Sequence, residues 1–309
     1  MPFQHDNLWG LKYLSADEIL YILDEAKAFR NILERDLKKV PTLRWLTVVN
    51  LFYEPSTRTR ISFELAEKRL SADVVNFSTS TSSVKKGETL RDTIANILAM
   101  KVDMIVVRHS SVGTPQYISR ATKVPVINAG DGTNEHPTQA LLDLYTIREK
   151  FGQFNGLKVV LLGDIRHSRV ARSNIFGLKK LGANVVLCAP KTLLPPYPDV
   201  FGVEYTTDID SALDGANVVN VLRLQLERQH SGLIPSLREY RMFWGLTAVR
   251  RKMLDPDHII MHPGPMNRGV EIDPDVADAD DSVILEQVTN GVAIRMAVLY
   301  ILASKIKNK

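Results

Sequence analysis

The chain has a single cysteine, Cys188, among 309 residues, and aromatic residues make up only 7% of it. One thiol cannot form a disulfide within the chain, which favours a reducing compartment. No apolar run approaches the roughly 18 residues that a membrane span needs, and the first residues lack the pattern of a secretory signal. These absences predict a cytoplasmic globular protein in which Cys188 is a small buried residue.

Neither sign of charge dominates, because 39 basic residues against 35 acidic ones leave a net charge of +4. A mildly basic chain suits anionic small molecules or nucleic acid, and the balance alone does not separate the two. A nucleic-acid-binding module would need a contiguous basic face with stacking aromatic residues. The low aromatic content counts against that alternative.

Three families of ligand motif are also missing. No Gly-x4-Gly-Lys-Ser/Thr loop is present, and the stretch LLGDIRHSR at 161–169 lacks the Gly-x-Gly-x-x-Gly turn of a dinucleotide site. The histidines are scattered and there is no cysteine cluster. We therefore expect no nucleotide cofactor and no metal.

What the chain does contain is an alternation of strand and helix patterns in both halves, which restarts near residues 149–156. This predicts an α/β protein with two doubly wound domains, each a mainly parallel sheet flanked by helices. A Ser15–Glu18 capping box predicts the first long helix, and the last is predicted over roughly 284–306. A Gly- and Pro-bearing loop is expected after the strand at 103–110, and the acidic run 273–281 reads as a solvated connection.

The strand-to-helix corner NLFYEPSTRTRISFE, residues 50–64, concentrates hydrogen-bond donors. Ligands of α/β domains gather at the carboxyl ends of strands, where a helix N-terminus offers unpaired N–H groups. Ser56, Thr57 and Thr59 add hydroxyl groups and Arg58 adds a guanidinium, a set that suits a phosphate. A serine N-cap followed by solvated arginines remains an alternative.

Further donors follow in the first half. Arg108 ends a strand, His136 precedes a helix predicted to begin at Pro137, and Gln139 lies one turn into that helix. A polar stretch carries Lys85 and Lys86. Each residue has an ordinary structural alternative, as a surface arginine, a structural histidine or a polar loop.

The second half offers a different set. Arg169 follows one strand, and Arg223 and Gln225 follow another, so two guanidinium groups at neighbouring strand ends could hold two carboxylates. The stretch MHPGPMNRG at 261–269 predicts a rigid turn that directs carbonyl groups into a cleft, or a plain loop.

Together these segments resemble the carbamoyltransferases, and within them the aspartate enzymes. The resemblance covers nearly the whole chain and rests on STRTR, KKGETLRDT, EHPTQALLD, VLRLQLER and HPGPMNRGVEI. STRTR and HPTQ are shared by the wider family, whereas KKGET and RLQLER are similar to the aspartate enzymes. The ornithine enzymes typically carry His-Cys-Leu-Pro where this chain has HPGP, and their Ser-Met-Gly turn is not found. HPGP itself departs from the His-Pro-Leu-Pro of the best-known aspartate enzymes.

The resemblance implies a division of labour. Residues 1–150, with a C-terminal helix at about 287–309, would form a carbamoyl phosphate-binding domain, and residues 151–286 an aspartate-binding domain. The implied reaction transfers the carbamoyl group from carbamoyl phosphate to L-aspartate, an early step of pyrimidine synthesis. The implied catalytic residues are Arg58, Thr59, Lys86, Arg108 and His136. The implied substrate-binding residues are Ser56, Thr57, Arg58, Thr59, Ser82, Lys86, Arg108, His136, Gln139, Arg169, Arg223, Gln225, Gly264 and Pro265.

The family also implies a homotrimer in which Ser82 and Lys86 reach a neighbouring subunit's site. Whether a regulatory chain or dihydroorotase associates is left open, and no nucleic-acid or membrane partner is implied. Three alternatives remain at this point: a carbamoyltransferase acting on ornithine or another amine, a nucleic-acid or anion-binding module, and a scaffold without catalysis.

Overall fold

A computed structural model describes residues 3–78, 89–225 and 232–306. The chain divides into two compact units. The first comprises the residues up to Leu142 together with those from Thr289 onward, and the second comprises Asp143–Val288. Each unit contains one parallel β-sheet flanked by helices, which confirms the predicted fold class.

The regular elements alternate along the chain as the sequence pattern predicts. The strands are β1 Thr47–Phe52, β2 Asp73–Ser78, β3 Met104–His109, β4 Val126–Asp131, β5 Lys158–Leu162, β6 Asn184–Cys188, β7 Glu204–Thr206, β8 Val218–Val221 and β9 Ile259–Met261. The helices are α1 Ala16–Leu33, α2 Thr57–Arg69, α3 Leu90–Ala99, α4 Thr114–Arg120, α5 Pro137–Phe151, α6 Arg169–Lys180, α7 Ile209–Leu213, α8 Leu237–Trp244, α9 Ala248–Arg251, α10 Pro274–Ala277 and α11 Ile284–Ile306.

The first unit has a four-stranded sheet in the order β2-β1-β3-β4. On one face, Val49 and Leu51 of β1 pack in one cluster with Ile94 of α3 and Ile118 of α4. On the other face, Asn50 donates a hydrogen bond to α2. Helices therefore cover both faces, which explains why the strands are almost uniformly buried.

The second unit has a five-stranded sheet in the order β7-β6-β5-β8-β9. One face packs alternate strand residues, such as Val160 and Val219, against α7 and α10. The opposite face carries a buried polar centre on Asp143, whose carboxylate accepts from the side-chain amides of Asn174, Asn220 and Gln287 at 2.7, 3.2 and 2.7 Å. This centre ties α5, α6, β8 and α11 together within the unit.

Several local expectations are confirmed. The Ser15–Glu18 capping box forms at the start of α1, and Pro137 is the first residue of α5. Cys188 is fully buried, and burial raises the pKa of its thiol to about 12. The last long helix has the predicted bounds.

Two expectations are wrong. The Gly- and Pro-bearing stretch after β3 is not only a loop, because it contains α4, which starts at a left-handed Gly113 with Pro115 in its first turn. The acidic run is not simply solvated, because it contains α10, and its Val276 lies in the core. Its Asp273 forms a bidentate pair with Arg241 of α8, so this acidic residue has a structural partner.

When hydropathy is averaged over a window of 18 residues, instead of being judged by unbroken apolar runs, α11 is long and apolar enough to cross a membrane. Of that stretch 72% is buried inside the fold. A helix that is apolar on most sides is also what the core of a large domain requires, and the burial of α11 fits that role.

We predict that Asp143→Asn destabilises the second unit by roughly 2–4 kcal/mol, because an amide cannot accept from three amide donors without leaving donors unpaired in the interior. Scanning calorimetry of the purified protein measures the change. Asp280→Asn is the matched control, since Asp280 is exposed. A melting temperature of Asp143→Asn equal to that of the control would contradict this role.

Candidate active site

The predicted donors of the first unit meet at one edge of its sheet. β1, β3 and β4 are adjacent and parallel, so their carboxyl ends share an edge. Phe52, the last residue of β1, is in register with Arg108 of β3. The first-unit cluster at this edge consists of Ser56, Thr57, Arg58, Thr59, Arg108, His136 and Gln139. Ser82 and Lys86 lie outside the described residues.

The N-terminus of α2 is arranged to receive an anion. Ser56 is its extended N-cap residue, but its side chain makes no capping hydrogen bond and donates instead to Thr59 Oγ1 at 2.9 Å. The first turn contains no acidic residue. The backbone N–H groups and the positive end of the helix dipole are therefore not neutralised by a side-chain cap, which favours the anion-site interpretation over an ordinary capped helix.

Arg108 is a buried cation with defined partners. Its Nη2 lies 2.9 Å from Glu54 Oε1 and its Nη1 donates to the carbonyl of Ala129 at 3.2 Å. The side chain is about 10% exposed. Because a buried guanidinium needs a compensating charge, Glu54 both stabilises Arg108 and fixes its direction at the strand edge.

His136 is buried where the chain passes from β4 into α5. Its carbonyl accepts from the backbone N–H groups of Gln139 and Ala140, so it opens the helix. The turn before it is held by Asp131, which accepts from the backbone of Gly113 and Glu135. These bonds fix the backbone that carries His136 and Gln139.

The carboxylate of the neighbouring Glu135 is held by the N-terminal segment of the chain. Its carboxylate accepts from the backbone of Leu11 at 2.7 Å and of Lys12 at 3.2 Å. A side chain at Gly10 would overlap this carboxylate. The N-terminal segment thus supports the cluster, and this position of the Glu135 carboxylate depends on the absence of a side chain at residue 10.

The second-unit cluster consists of Arg169, Arg223, Gln225, Gly264 and Pro265. It gathers at the carboxyl ends of β5, β8 and β9, which are adjacent in their sheet. Arg169 is the buried first residue of α6, behind the N-cap Ser168, whose hydroxyl accepts from Ala171. Arg223 and Gln225 follow β8 directly. Two cations from neighbouring strand ends suit a ligand with two carboxylates.

Asp164 connects two of these strand ends. It is fully buried after β5 and accepts from the backbone N–H of Gln225 at 3.2 Å. Its other oxygen lies 2.8 Å from Nδ1 of His167. The segment that carries Arg223 and Gln225 is therefore fixed relative to the start of α6.

The turn after β9 has a defined conformation. Gly264 has a φ of 62°, which favours glycine, and the peptide bond to Pro265 is cis. The N–H of Gly264 donates to Nδ1 of His262 at 2.8 Å. Nδ1 is then the unprotonated nitrogen, so Nε2 donates to Glu271 Oε1, 3.2 Å away. His262 and Glu271 together hold the turn that carries the carbonyl groups of Gly264 and Pro265.

The structure thus gathers the described site candidates into two clusters, one in each unit. Sequence reasoning missed the carboxylates that hold them, namely Glu54, Glu135, Asp164 and Glu271. Glu54 lies in the strand-to-helix corner at residues 50–64, and Asp164 ends a strand pattern. Their positions at strand ends could therefore have marked these two as candidates. Their partners Arg108 and Gln225, however, are distant in the chain.

Two family models match the chain. The carbamoyl-P binding domain of the aspartate/ornithine carbamoyltransferases matches residues 7–149, and the Asp/Orn binding domain of the same family matches residues 155–302. The two matches cover both units.

Curated relatives are similar over almost the full length. The chain is 57% identical over 98% of its length to the aspartate carbamoyltransferase catalytic subunit of Syntrophotalea carbinolica, and covers 97% of that protein. It is 58% identical over 96% of its length to the same subunit of Gemmatimonas aurantiaca, of which it covers 93%.

Solved structures have the same fold. Aspartate transcarbamoylase from Trypanosoma cruzi, in complex with N-(phosphonacetyl)-L-aspartic acid, aligns with a TM-score of 0.85 at 30% identity over 95% of this chain and 94% of that one. The ornithine carbamoyltransferase of Pyrococcus furiosus aligns with a TM-score of 0.83 at 31% identity over 95% of each chain. With both domains matched and the curated relatives above half identical, the chain belongs to the aspartate/ornithine carbamoyltransferase family, on the side of the aspartate carbamoyltransferase catalytic subunits.

Proposed function

We propose that the chain transfers the carbamoyl group of carbamoyl phosphate to the α-amino group of L-aspartate. The products are N-carbamoyl-L-aspartate and phosphate, and the reaction is an early step of pyrimidine (UMP) synthesis. The observation that carries the proposal is the pair of donor clusters, an uncapped helix N-terminus with Arg108 in one unit and two arginines at neighbouring strand ends in the other. The identity to aspartate carbamoyltransferase catalytic subunits supports it independently.

Carbamoyl phosphate binds to the first unit in this proposal. Its phosphate lies at the start of α2, on Ser56, Thr57, Arg58 and Thr59, and Arg108 adds a second cation. Two features of α2 support this assignment: the side chain of its N-cap residue makes no capping hydrogen bond, and its first turn contains no acidic side chain. In this proposal the carbamoyl phosphate-binding domain has the boundaries predicted from the sequence, residues 1–150 and about 287–309.

The transition state carries new negative charge on the carbamoyl oxygen as the amine attacks the carbon. Thr59, Arg108 and His136 donate to that oxygen, and each preorganised donor contributes a factor of about 10²–10³ in rate. His136 acts as a neutral N–H donor. Gln139 and the carbonyl groups of Gly264 and Pro265 bind the carbamoyl NH2 group.

L-Aspartate binds to the predicted aspartate-binding domain, residues 151–286, which lies within the second unit. Arg169 and Arg223 bind its two carboxylates and Gln225 adds a polar contact. The departing phosphate accepts the proton of the attacking amine, since it forms next to that nitrogen. The proposal includes no cofactor or metal.

The assembly and location belong to the proposal as well. We place the enzyme in the cytoplasm as a homotrimer in which Ser82 and Lys86 complete the site of the neighbouring subunit. Native mass measurement would show whether a regulatory chain or dihydroorotase joins it.

A colorimetric assay for carbamoyl amino acids tests the reaction. We expect kcat/KM with L-aspartate to exceed that with L-ornithine by about 10⁴-fold or more, because ornithine lacks the second carboxylate that the two arginines bind in this proposal. Comparable rates with both amines would favour the broader carbamoyltransferase alternative. No turnover by folded protein would favour a scaffold, and strongly salt-dependent binding to DNA or RNA would favour the nucleic-acid alternative.

Arg223→Ala tests the division of labour. Loss of one member of a hydrogen-bonded charge pair costs about 2–5 kcal/mol, so we expect the KM for aspartate to rise at least about 30-fold while the Kd for carbamoyl phosphate stays close to that of wild type. Steady-state kinetics and calorimetry measure the two constants. Lys252→Ala removes an exposed cation from the same unit and serves as the control. Equal weakening of both ligands would argue against two separate subsites.

Mixed subunits test the shared site. Arg58→Ala and Lys86→Ala proteins are each expected to be inactive, and exchange of their subunits is expected to restore activity, because some hybrid sites then contain both native residues. Activity of the mixture is compared with that of each protein carried through the same exchange procedure. If exchange is verified by mass spectrometry and no activity returns, Lys86 does not act across a subunit boundary.

A further inference from the structure

Behind the start of α2 lies a buried polar pair that the mechanism does not use. Asn50 of β1 and Glu67 of α2 are both completely buried. Asn50 Nδ2 donates to Glu67 Oε2 at 2.8 Å and to Asn76 Oδ1 at 3.1 Å. The two remaining oxygens, Asn50 Oδ1 and Glu67 Oε1, are buried without a hydrogen-bond partner among the described residues.

The orientation of the Asn50 amide follows from these bonds. Both of its N–H groups have acceptors, on Glu67 and on Asn76. The orientation of Asn76 is itself set by its donation to Glu64 Oε2 at 3.1 Å. Asn50 Oδ1 is therefore an acceptor directed into the interior, beside a carboxyl group that also has one oxygen unpaired.

If Glu67 were ionised, Asn50 Oδ1 and Glu67 Oε1 would both be buried acceptors without a donor, which is costly. A carboxylic acid resolves the mismatch, because its O–H is the missing donor. An amide and a carboxylic acid are complementary, and one can join the other in a ring of two hydrogen bonds.

We propose that Glu67 is a neutral carboxylic acid that accepts from Asn50 Nδ2 at Oε2 and donates from Oε1 to Asn50 Oδ1, and that this ring positions the anion-binding start of α2. Glu67 is ten residues beyond Thr57, about 15 Å along the helix. Strand β1 and helix α2 are connected in the chain by the corner that carries Ser56. The ring between Asn50 and Glu67 holds the same strand and helix together at the far end of α2. Glu67 is thus a positioning residue and does not touch substrate.

The electrostatic surroundings agree with a neutral group. The pKa of Glu67 is raised to about 8, chiefly by burial and to a smaller extent by the nearby Glu64, against the opposing effects of the bond from Asn50 and the charge of Lys68. Glu64 and Lys68 pair with each other on the exposed side. The strands β1 and β2 present the amides Asn50 and Asn76, and from α11 the cation Arg295 reaches α2 at Ser62 and Phe63.

Glu67→Gln is the decisive variant, because glutamine keeps a two-bond ring with Asn50 at every pH. Infrared spectroscopy at pH 7 reads the protonation state directly. The wild type is expected to show the carbonyl band of a buried protonated carboxyl group, and Glu67→Gln is expected to lack it. Absence of that band from the wild type would overturn the neutral pair, for instance in favour of a carboxylate bridged by water.

Stability against pH gives a second readout. A folded-state pKa raised from 4.5 to about 8 makes the wild type lose stability as pH rises between these values and level off above them. The unfolding equilibrium constant of wild type relative to Glu67→Gln should therefore rise by up to about tenfold per pH unit in that interval. Glu286→Gln, at an exposed helical glutamate outside this network, should run parallel to wild type. Parallel curves for wild type and Glu67→Gln would overturn the proposal.

The positioning role rests on the proposed function and has its own measurement. N-(phosphonacetyl)-L-aspartate serves as the probe, and the ratio of its Kd values for wild type and Glu67→Gln cancels the titration of the ligand. We expect the ratio to be near one at pH 7 and to rise by up to about tenfold per pH unit above pH 8. A flat ratio would overturn the positioning role while leaving the neutral pair in place. No binding to wild type would overturn the proposed function, and the infrared result would still decide the protonation state.

Discussion

Parallel strand pairing is the constraint on which both clusters depend. Every strand pair in the two described sheets is parallel, so each sheet brings several strand carboxyl ends and helix N-termini to one edge. The positive ends of helix dipoles then add to the charges of Arg108 in the first unit and of Arg169 in the second. A chain that distributes cationic residues just after its strands thereby concentrates them in space without a contiguous basic segment in the sequence.

Concentrated donors and cations need compensating groups and fixed positions before a ligand arrives, and three carboxylates of the described residues provide them. Glu54 faces Arg108, Asp164 holds the backbone of Gln225, and Glu271 orients His262 behind the Gly264 turn. Each carboxylate is matched to N–H donors or to a cation, as burial demands. The supporting residues fix geometry so that the donors need little rearrangement when charge develops, which is the property that transition-state stabilisation requires.

The sequence predicts the fold well where periodicity is strong. The parallel α/β class, the capping box at Ser15 and the start of α5 at Pro137 are set by local patterns that tertiary contacts reinforce. The sequence-based prediction fails after β3, where Gly113 and Pro115 favour a loop. A glycine can precede a helix and a proline suits its first turn, so the same residues are compatible with α4. The site donors were predictable because they follow strand patterns. Their carboxylate partners were not, since Glu54 and Arg108 are 54 residues apart and periodicity carries no information on such pairs.

Counting donors separates two kinds of buried carboxyl group in this protein. Asp131 accepts from the backbone of Gly113 and Glu135 and from the side chains of Asn128 and Asn134, a set that satisfies an acceptor-only group. Glu67 has one amide donor, on Asn50, and the oxygen of that same amide is buried without a partner, so the same reasoning requires Glu67 to supply a donor itself. In charge and in hydrogen-bonding capacity, Glu67 therefore resembles a glutamine more than it resembles Asp131, although Glu67 and Asp131 are both acidic residues. A residue's charge in this fold follows from the hydrogen bonds around it, and the start of α2 depends on one such acid being neutral.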